Sequence, residues 1–362
     1  MKTIWHYNKF LPAFDESSRI TIGEGQTPLI RSRYVGPLLG LANLFFKLEN
    51  LNPTGSYKDR FAAAFVSSLV QKKSSFCLAT SSGNTGAALA AYCAAAQIEC
   101  FIIVVDGAPE AKLQQMQFYG GKTIMVEGFG LNTSITNNVF ETLEKYTKTR
   151  NVSLPISAYL YCTEGMLGVQ TIAYEILDEL NGKIKHVFSP AGGGGLTLAM
   201  AKGMIAYGSK GDCKVHCVQP AGNNTIAGAL ASGSERATEI THSVTQISGL
   251  QVPGILDGTN TIRFCRESGG TGVLVNDESV FETQRLLAQK EGIFCEPAGA
   301  VSVQGVIEAV KKGFMGANDN IVCLITGSGF KDMNIVSRAI SPLAKEKKYN
   351  VNQFLDFLAT IE

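Results

Sequence analysis

The sequence carries almost no excess of charge, because its 362 residues include 32 Lys and Arg against 31 Asp and Glu. A net charge of +1 gives no basic stripe that would mark nucleic acid or an anionic membrane as a partner. The sequence also lacks an apolar run approaching the roughly 20 residues that cross a bilayer, and it lacks a cationic and then apolar leader. We therefore expect a cytoplasmic protein whose ligands are small molecules.

Cysteine pairs with metal-ligand spacing are missing as well. The nine cysteines are an odd number and include no CxxC pair, which argues against disulfides. Cys213, His216 and Cys217 come nearest to a ligand cluster, but in a strand His216 points away from the face that the two cysteines share. We expect no metal ion, and we expect most of the thiols to pack as small hydrophobic groups.

A repeated alternation of apolar strand, glycine-rich turn and helix runs along almost the whole chain. It predicts an α/β fold with two domains, each a mostly parallel sheet covered by helices. We expect a small domain over 52–162 and a large domain over 1–51 plus 163–362, with the active site between them. Pro109 suits the first turn of a helix in the small domain, and 341–362 is expected to form a helical appendage. The predicted strands lie at 76–79, 100–105, 122–126, 186–189, 214–218, 272–275 and 320–325.

One lysine is distinguished by its surroundings. Lys58 follows a Pro-Thr-Gly-Ser-Tyr turn (53–57) and begins a segment in which apolar residues recur at helical spacing from Phe61 to Leu69. Asp59 lies in the first turn, where a carboxylate complements the positive end of the helix dipole. The turn exposes the lysine and the helix holds it, which is the arrangement that a lysine bonded to an aldehyde cofactor needs.

Two further glycine-rich turns each lie between an apolar strand and a helix. Ser81 to Gly86 follows the strand at 76–79, and Gly192 to Gly195 follow the strand at 186–189. Backbone N–H groups at the start of a helix form an anion site, and four consecutive glycines leave those groups unhindered. Because ligands of parallel sheets bind at the carboxyl ends of the strands, these turns predict a site for a phosphate-bearing ligand.

Taken in this order, the three turns resemble those of the fold-type II enzymes that use pyridoxal 5'-phosphate, and more narrowly those of the threonine synthase family. Four longer motifs extend the resemblance over nearly the whole chain. Tyr57 departs from the family pattern, in which Phe is usual. The motifs are GEGQTPL at 23–29, KLENLNPTGSYKDR at 47–60, EGIFCEPAGA at 291–300 and TGSGFKD at 326–332.

The resemblance implies a role for each turn. Lys58 would bond to the cofactor aldehyde and act as the base at the substrate Cα, and the glycine run would bind the cofactor phosphate. Asn84 would face the ring hydroxyl, and Thr326 would face the ring nitrogen, where a neutral hydroxyl accompanies elimination and replacement chemistry. The serines and Asn84 are also common helix caps, which is the simpler interpretation of that turn. The implied cofactor contacts are Lys58, Asn84, Gly192, Gly193, Gly194, Gly195, Leu196 and Thr326, and the implied substrate contacts are Ser81, Ser82, Gly83, Thr85 and Glu296.

The family activity that the resemblance implies is the conversion of O-phospho-L-homoserine and water to L-threonine and phosphate. Cys162, however, stands where the family usually has an arginine for the substrate phosphate, and a thiol cannot supply the paired hydrogen bonds of a guanidinium. Arg263 or Arg266 could supply that charge. Alternatively, the enzyme performs β-elimination or β-replacement on serine, O-phosphoserine or a related amino acid. A non-catalytic cofactor-binding protein is a remote third possibility.

Two further expectations concern assembly and one cysteine. The fold family implies a homodimer. Cys295 is expected either to line the site or to pack in the core.

Overall fold

A computed structural model describes residues 2–106, 110–130, 132–209, 213–340 and 348–361 of the chain. These residues form two compact units, Met1–Lys331 and Asp332–Glu362. The first unit confirms the predicted α/β class, because it contains two mostly parallel sheets covered by helices. Among the described residues, no helix is both long and apolar enough to cross a membrane.

The larger sheet has six strands, which lie in the order β1 (Leu29–Arg31), β2 (Asn43–Lys47), β9 (Asn320–Leu324), β6 (His186–Pro190), β7 (Lys214–Pro220) and β8 (Gly272–Val275). β1 pairs with β2 in the antiparallel direction, and the other neighbours are parallel. The predicted strands of this sheet are confirmed with ends shifted by at most two residues, whereas β1 and β2 were not predicted.

The smaller sheet has three parallel strands, all of which were predicted. They are β3 (Phe76–Thr80), β4 (Glu99–Val104) and β5 (Lys122–Met125), in that order. Buried and partly exposed side chains alternate along β3, as expected for a strand that is covered on one face. The apolar face of the sheet packs under the alanine-rich helix α3 (Asn84–Ala95).

The helices cover both sheets. The helices expected after residues 58 and 84 are confirmed, and a helix also follows Pro109, which itself lies outside the described residues. Short 3-10 helices are found at Ile4–Phe10, Glu16–Ser18, Glu49–Leu51, Ala221–Asn223 and Gly329–Asp332, and a π-helix at Leu287–Glu291. The remaining α-helices of the first unit are α1 (Val35–Leu38), α2 (Lys58–Gln71), α4 (Glu110–Phe118), α5 (Thr133–Lys148), α6 (Thr163–Glu179), α7 (Gly195–Ala206), α8 (Ala227–Ala231), α9 (Gly258–Glu267), α10 (Asp277–Leu286) and α11 (Pro297–Lys311).

Helix α2 lies at the centre of the largest apolar cluster. Its inner residues, among them Phe61 and Phe65, are buried together with residues of α3, α6 and α7. A glycine on α6 lets α6 approach α2 closely, because a Cβ at Gly168 would lie 2.2 Å from the carbonyl oxygen of Arg60. This packing fixes the start of α2, and therefore Lys58, relative to the rest of the first unit.

The second unit contains two described helices, α12 (Met333–Ile340) and α13 (Val351–Leu358). Asn350 caps α13 in a reciprocal capping box with Gln353. The expected helical segment over 341–362 is thus helical in its described middle part, while 341–347 and 362 lie outside the described residues.

Candidate active site

The carboxyl ends of three adjacent strands place the predicted turns along one edge of the larger sheet. β2 and β6 both pair in parallel with β9. The turn before Lys58 (residues 53–57), which we call the lysine turn, follows β2, and Thr326 follows β9. The four glycines at 192–195, which we call the glycine turn, follow β6. Since neighbouring parallel strands end at the same edge, the strand order brings together segments that are far apart in sequence.

Backbone contacts join the lysine turn directly to the segment after β9. The amide of Tyr57 donates to the carbonyl oxygen of Thr326 at 3.1 Å, and Ser56 forms a β-bridge with Gly327. Lys58 begins α2 and is partly buried, with its Nζ 4.6 Å from the centroid of the Tyr57 ring. The predicted reactive lysine and the predicted partner of the ring nitrogen are therefore parts of one rigid assembly.

A buried network of charged residues supports the lysine turn. The Arg60 guanidinium is fully buried and donates to both carboxylate oxygens of Glu49 and of Glu175, at 2.6 to 2.8 Å. Lys47 lies 2.9 Å from Glu175 and 2.6 Å from Glu179. Burial alone would raise the pKa of Glu175, but Arg60 and Lys47 lower it to about 2. Hydrogen-bonded charge pairs of this kind lock two helices and a strand around the lysine turn.

The residue after the lysine has a structural role. Asp59 is buried, and its carboxyl group accepts hydrogen bonds from the backbone amide and the hydroxyl of Thr54 at 3.0 and 2.7 Å. Burial raises the pKa of Asp59 to about 7, although these hydrogen bonds and Lys331 act in the opposite direction. Asp59 thereby ties the beginning of the turn to the first turn of the helix.

The loop from Ser81 to Gly86 is held partly by its own hydroxyl groups. Ser81 Oγ accepts from the amides of Gly83 and Gly86, and Ser82 Oγ accepts from the amide of Val105 at 3.0 Å. Thr85 is partly exposed in the first turn of α3. The capping interpretation of Ser81 therefore applies, but each serine keeps a hydroxyl proton that can be donated to a carboxylate.

Asn84 and Glu296 bring the two sheets together at the site. The Asn84 amide donates to both carboxylate oxygens of Glu296 at 3.0 Å. Glu296 is buried at the N-cap of α11, and its amide donates to the carbonyl oxygen of Gly327. The structure thus connects two predicted site residues, one presented by each sheet, with the segment that contains Thr326.

The four glycines form a turn without side chains at the start of α7. Gly194 has a φ of +95°, and a Cβ there would lie 2.5 Å from Thr261 Oγ1. A Cβ at Gly193 would lie 2.8 Å from Leu256, and one at Gly195 would lie 2.8 Å from the carbonyl oxygen of Ser157. Only glycine fits this turn, and its amides at a helix start suit a phosphate.

The hydroxyl of Thr326 bears on whether these residues could hold pyridoxal phosphate. Thr326 Oγ1 is buried and has no hydrogen-bond partner among the described residues, and the same is true of Ser56 Oγ. A buried hydroxyl without a partner is costly, so its retention is explained by a ligand atom that completes the bond. The hydroxyl of Thr326, the glycine turn and Lys58 would supply a ring partner, a phosphate cradle and an amine, so these residues fit the cofactor.

A cavity of about 350 Å³ lies beside Asn84. Its wall includes the turn from Pro53 to Gly55 and the segment from Ser328 to Lys331. Lys331 Nζ lies 3.0 Å from Gln115 Oε1, and the Gln115 amide in turn donates to the carbonyl oxygen of Thr54. Lys331 gives this cavity a positively charged group. It belongs to the predicted TGSGFKD motif, but its position in the cavity was not foreseen.

The arginines proposed to replace the one expected at Cys162 lie elsewhere. Arg263 is 61% exposed and pairs with Glu267, and Arg266 donates to the carbonyl oxygen of Ser234. Cys162 is fully buried in the largest apolar cluster. Neither arginine lines the cavity beside Asn84, so Lys331 is the better candidate for an anionic substrate group.

Cys295 packs in the second apolar cluster. It is fully buried, and burial raises the pKa of its thiol to about 12. Its Sγ lies near Gly299, where a Cβ would approach it at 3.5 Å. Of the two roles expected for this residue, the structure shows packing.

Comparisons with known proteins show which family the chain resembles. Residues 20–327 match the family model described as pyridoxal-phosphate dependent enzyme. The chain is 32% identical to the threonine synthase of Methanocaldococcus jannaschii, over 96% of this chain and 85% of that protein. It is also 32% identical to the threonine synthase of Methanosarcina acetivorans, over 92% of this chain and 81% of that protein.

Solved structures share the fold at lower identity. A maize serine racemase superimposes with a TM-score of 0.74 at 21% identity, covering 88% of this chain and 92% of its own. A threonine deaminase isoform from Solanum lycopersicum gives a TM-score of 0.72 at 21% identity, covering 95% of this chain and 94% of its own. At these identities the structures establish the common architecture.

Proposed function

We propose that this chain, which belongs to the fold-type II pyridoxal-phosphate-dependent enzymes and within them to the threonine synthase family, converts O-phospho-L-homoserine and water to L-threonine and phosphate. The observation that carries the proposal is the connected set of Lys58, Thr326 and Glu296 from the larger sheet and Asn84 from the smaller one. The relatives at 32% identity support the choice of reaction within the family.

Each group in the set has a defined task. When bound, pyridoxal phosphate draws electron density away from the substrate Cα and Cβ. The Lys58 amine would take the proton from Cα, because Lys58 begins α2, is only partly buried and is held by the buried network below the turn. The Thr326 hydroxyl would donate to the ring nitrogen, and the amides from Gly192 to Leu196 would hold the cofactor phosphate.

The substrate carboxylate and the cofactor ring hydroxyl occupy the other side of the site. Ser81, Ser82, Gly83 and Thr85 would bind the carboxylate through hydroxyl and amide protons, and Asn84 would contact the ring hydroxyl. Glu296 holds the Asn84 amide in place from the second sheet. Binding the substrate across both sheets fixes Cα beside the lysine and excludes water until the leaving group has departed.

Lys331 is proposed to bind the leaving phosphate. Its ammonium group lies in the wall of the cavity beside Asn84 and is oriented by Gln115. A point charge replaces the guanidinium that Cys162 cannot supply, although it offers fewer fixed hydrogen bonds. The phosphate would then depart from Cγ toward this cation, and water would add at Cβ.

The absence of an arginine from the described cavity lining favours a second candidate. A site with one lysine suits a shorter substrate, as in β-elimination or β-replacement on serine, O-phosphoserine or a related amino acid, whose side chain has one carbon fewer than that of homoserine. A cytoplasmic homodimer is part of either proposal, and sedimentation equilibrium of the purified protein tests the dimer.

Product analysis of the cofactor-loaded protein tests the proposed reaction. O-Phospho-L-homoserine is added, and phosphate and amino acids are measured together. Equal amounts of threonine and phosphate support the synthase, and a Lys331→Gln variant should raise KM more than it lowers kcat. Failure to turn over this substrate, combined with release of ammonia and a keto acid from serine or O-phosphoserine, would favour the second candidate.

A further inference from the structure

Three cysteines meet in the core where helix α3 packs against the smaller sheet. Cys77 lies on β3, Cys93 on α3 and Cys100 on β4, and their sulfur atoms lie within 4.8 Å of one another. Cys77 and Cys100 are direct partners in the strand register. The three residues are 1%, 0% and 4% exposed, so the thiols face one another within the core. We call them the thiol triad.

The ligand set of the thiol triad is entirely sulfur. No His, Asp or Glu joins the three cysteines within the described residues. Structural zinc requires a fourth ligand for its tetrahedral geometry, whereas soft centres accept thiolates alone. The neighbouring side chains, such as those of Ala79, Ala90 and Ile102, are apolar and buried. The surroundings thus disfavour any complex that keeps a net charge.

Charge neutrality selects the oxidation state of the bound centre. Three thiolates around a monovalent or divalent ion leave a net negative charge, and an uncompensated charge in an apolar core is expensive. Three thiolates around a trivalent centre are neutral. We propose that the thiol triad is a binding site for a trivalent thiophilic metalloid, with arsenic(III) as the representative ligand.

The binding reaction balances without an oxidant or a reductant. Arsenous acid exchanges its three hydroxyl groups for three sulfur atoms, and each thiol proton leaves with one hydroxyl as water. Three arsenic–sulfur bonds form, three arsenic–oxygen bonds break, and arsenic stays trivalent.

The thiol triad lies on the elements next to the loop from Ser81 to Gly86, which is proposed to bind the substrate carboxylate. β3 ends at Thr80 and α3 begins at Asn84, so Cys77 and Cys93 lie on the two elements that flank the loop. A bound metalloid would join β3, α3 and β4 covalently. Because it binds the folded arrangement of three elements, it stabilises the native state in proportion to its concentration over its dissociation constant.

The test uses sodium arsenite and the full chain, and it does not depend on turnover. Intact-mass spectrometry under native conditions should show one arsenic per chain with the loss of three hydrogens, together with a rise in Tm. Since the thiols are buried, the protein is incubated until uptake stops, and a second sample is refolded from urea with arsenite present. Failure of the proposed enzymatic reaction would leave this result unchanged.

Variants separate the thiol triad from the other cysteines. Cys93→Ala should weaken arsenite binding on the order of 10²-fold, because one of three linked bonds is lost. Cys213→Ala removes an equally buried cysteine outside the triad and should bind like the unmodified chain. Equal binding by Cys93→Ala, no uptake in the refolded sample, or tighter binding of zinc than of arsenite would overturn the proposal.

Discussion

The lysine turn and the glycine turn lie at the ends of nearby strands but are stabilised in opposite ways. Charged groups hold the lysine turn, since Arg60, Glu49 and Glu175 are fully buried and hydrogen-bonded to one another. The glycine turn instead depends on missing side chains, because Leu256, Thr261 and the carbonyl of Ser157 occupy the space where a Cβ would project.

The difference predicts how each turn fails. A charge network fails when one member is removed, because the remaining charges stay buried without a partner. A turn without side chains fails when an atom is added, because the neighbours are backbone or tightly packed groups. Substitutions that remove a charge and substitutions that add a methyl group therefore test the two turns separately.

The largest effect is expected when the charge network is broken. Glu175→Gln leaves Arg60 and Lys47 with fewer negative partners in the core, and it should cost about 3–5 kcal/mol of unfolding free energy. Glu179→Gln is the control, because its side chain is 39% exposed although it also contacts Lys47. The control should lose less than about 1 kcal/mol. Equal losses in urea denaturation would contradict the buried-network account.

Adding one methyl group to the glycine turn should have the next largest effect. Gly194→Ala combines a φ of +95° with a Cβ 2.5 Å from Thr261 Oγ1 and should cost about 3 kcal/mol. Gly208 follows the other end of the same helix at a φ of +94°, and no atom of the described residues lies within 4 Å of the position that its Cβ would take. Gly208→Ala should therefore cost about 1 kcal/mol. Cofactor affinity should fall only in Gly194→Ala. Matching stabilities in the two variants would show that close approach is unimportant.

Asp59 gives the lysine turn a predicted pH dependence. Its folded pKa of about 7 lies above the unfolded value of 3.8, so the folded state retains a proton that the unfolded state loses first. Stability from this group is present below pH 3.8 and is lost as pH rises toward 7. The stability of Asp59→Asn relative to the unmodified chain should therefore rise by about 2 kcal/mol between pH 5 and 8. A difference that does not change with pH would contradict this assignment.

The smallest expected effect concerns the orphan hydroxyl of Thr326. Thr326→Val keeps the shape of the side chain and removes a buried group that lacks a partner among the described residues, so the cofactor-free protein should gain up to about 1 kcal/mol. The same variant should bind pyridoxal phosphate more weakly and alter its visible spectrum. Ser302→Ala is a contrast, because the Ser302 hydroxyl donates to Leu324 at 2.9 Å and its removal should destabilise the protein. A loss of stability in Thr326→Val would show that its hydroxyl is already satisfied.

The sequence predicted those features that depend on local pattern. The strand alternation indicated the fold class, and the glycine turns marked the carboxyl edge of the sheet. The charge network was not predicted, because Arg60 meets Glu175 across 115 positions and neither is unusual locally. The direction of Cys162 into the core and of Arg263 toward solvent also depends on tertiary packing. Buried charge within the KLENLNPTGSYKDR motif was the signal that could have pointed to the network.

The lysine that bonds to the cofactor aldehyde can be identified by trapping that bond chemically. The protein is loaded with pyridoxal phosphate and reduced with borohydride, and the modified peptide is identified by mass spectrometry. Our account predicts the label on Lys58 and its loss, with the fold intact by circular dichroism, in Lys58→Ala. A label on Lys331 or Lys47, or undiminished labelling of Lys58→Ala, would contradict it.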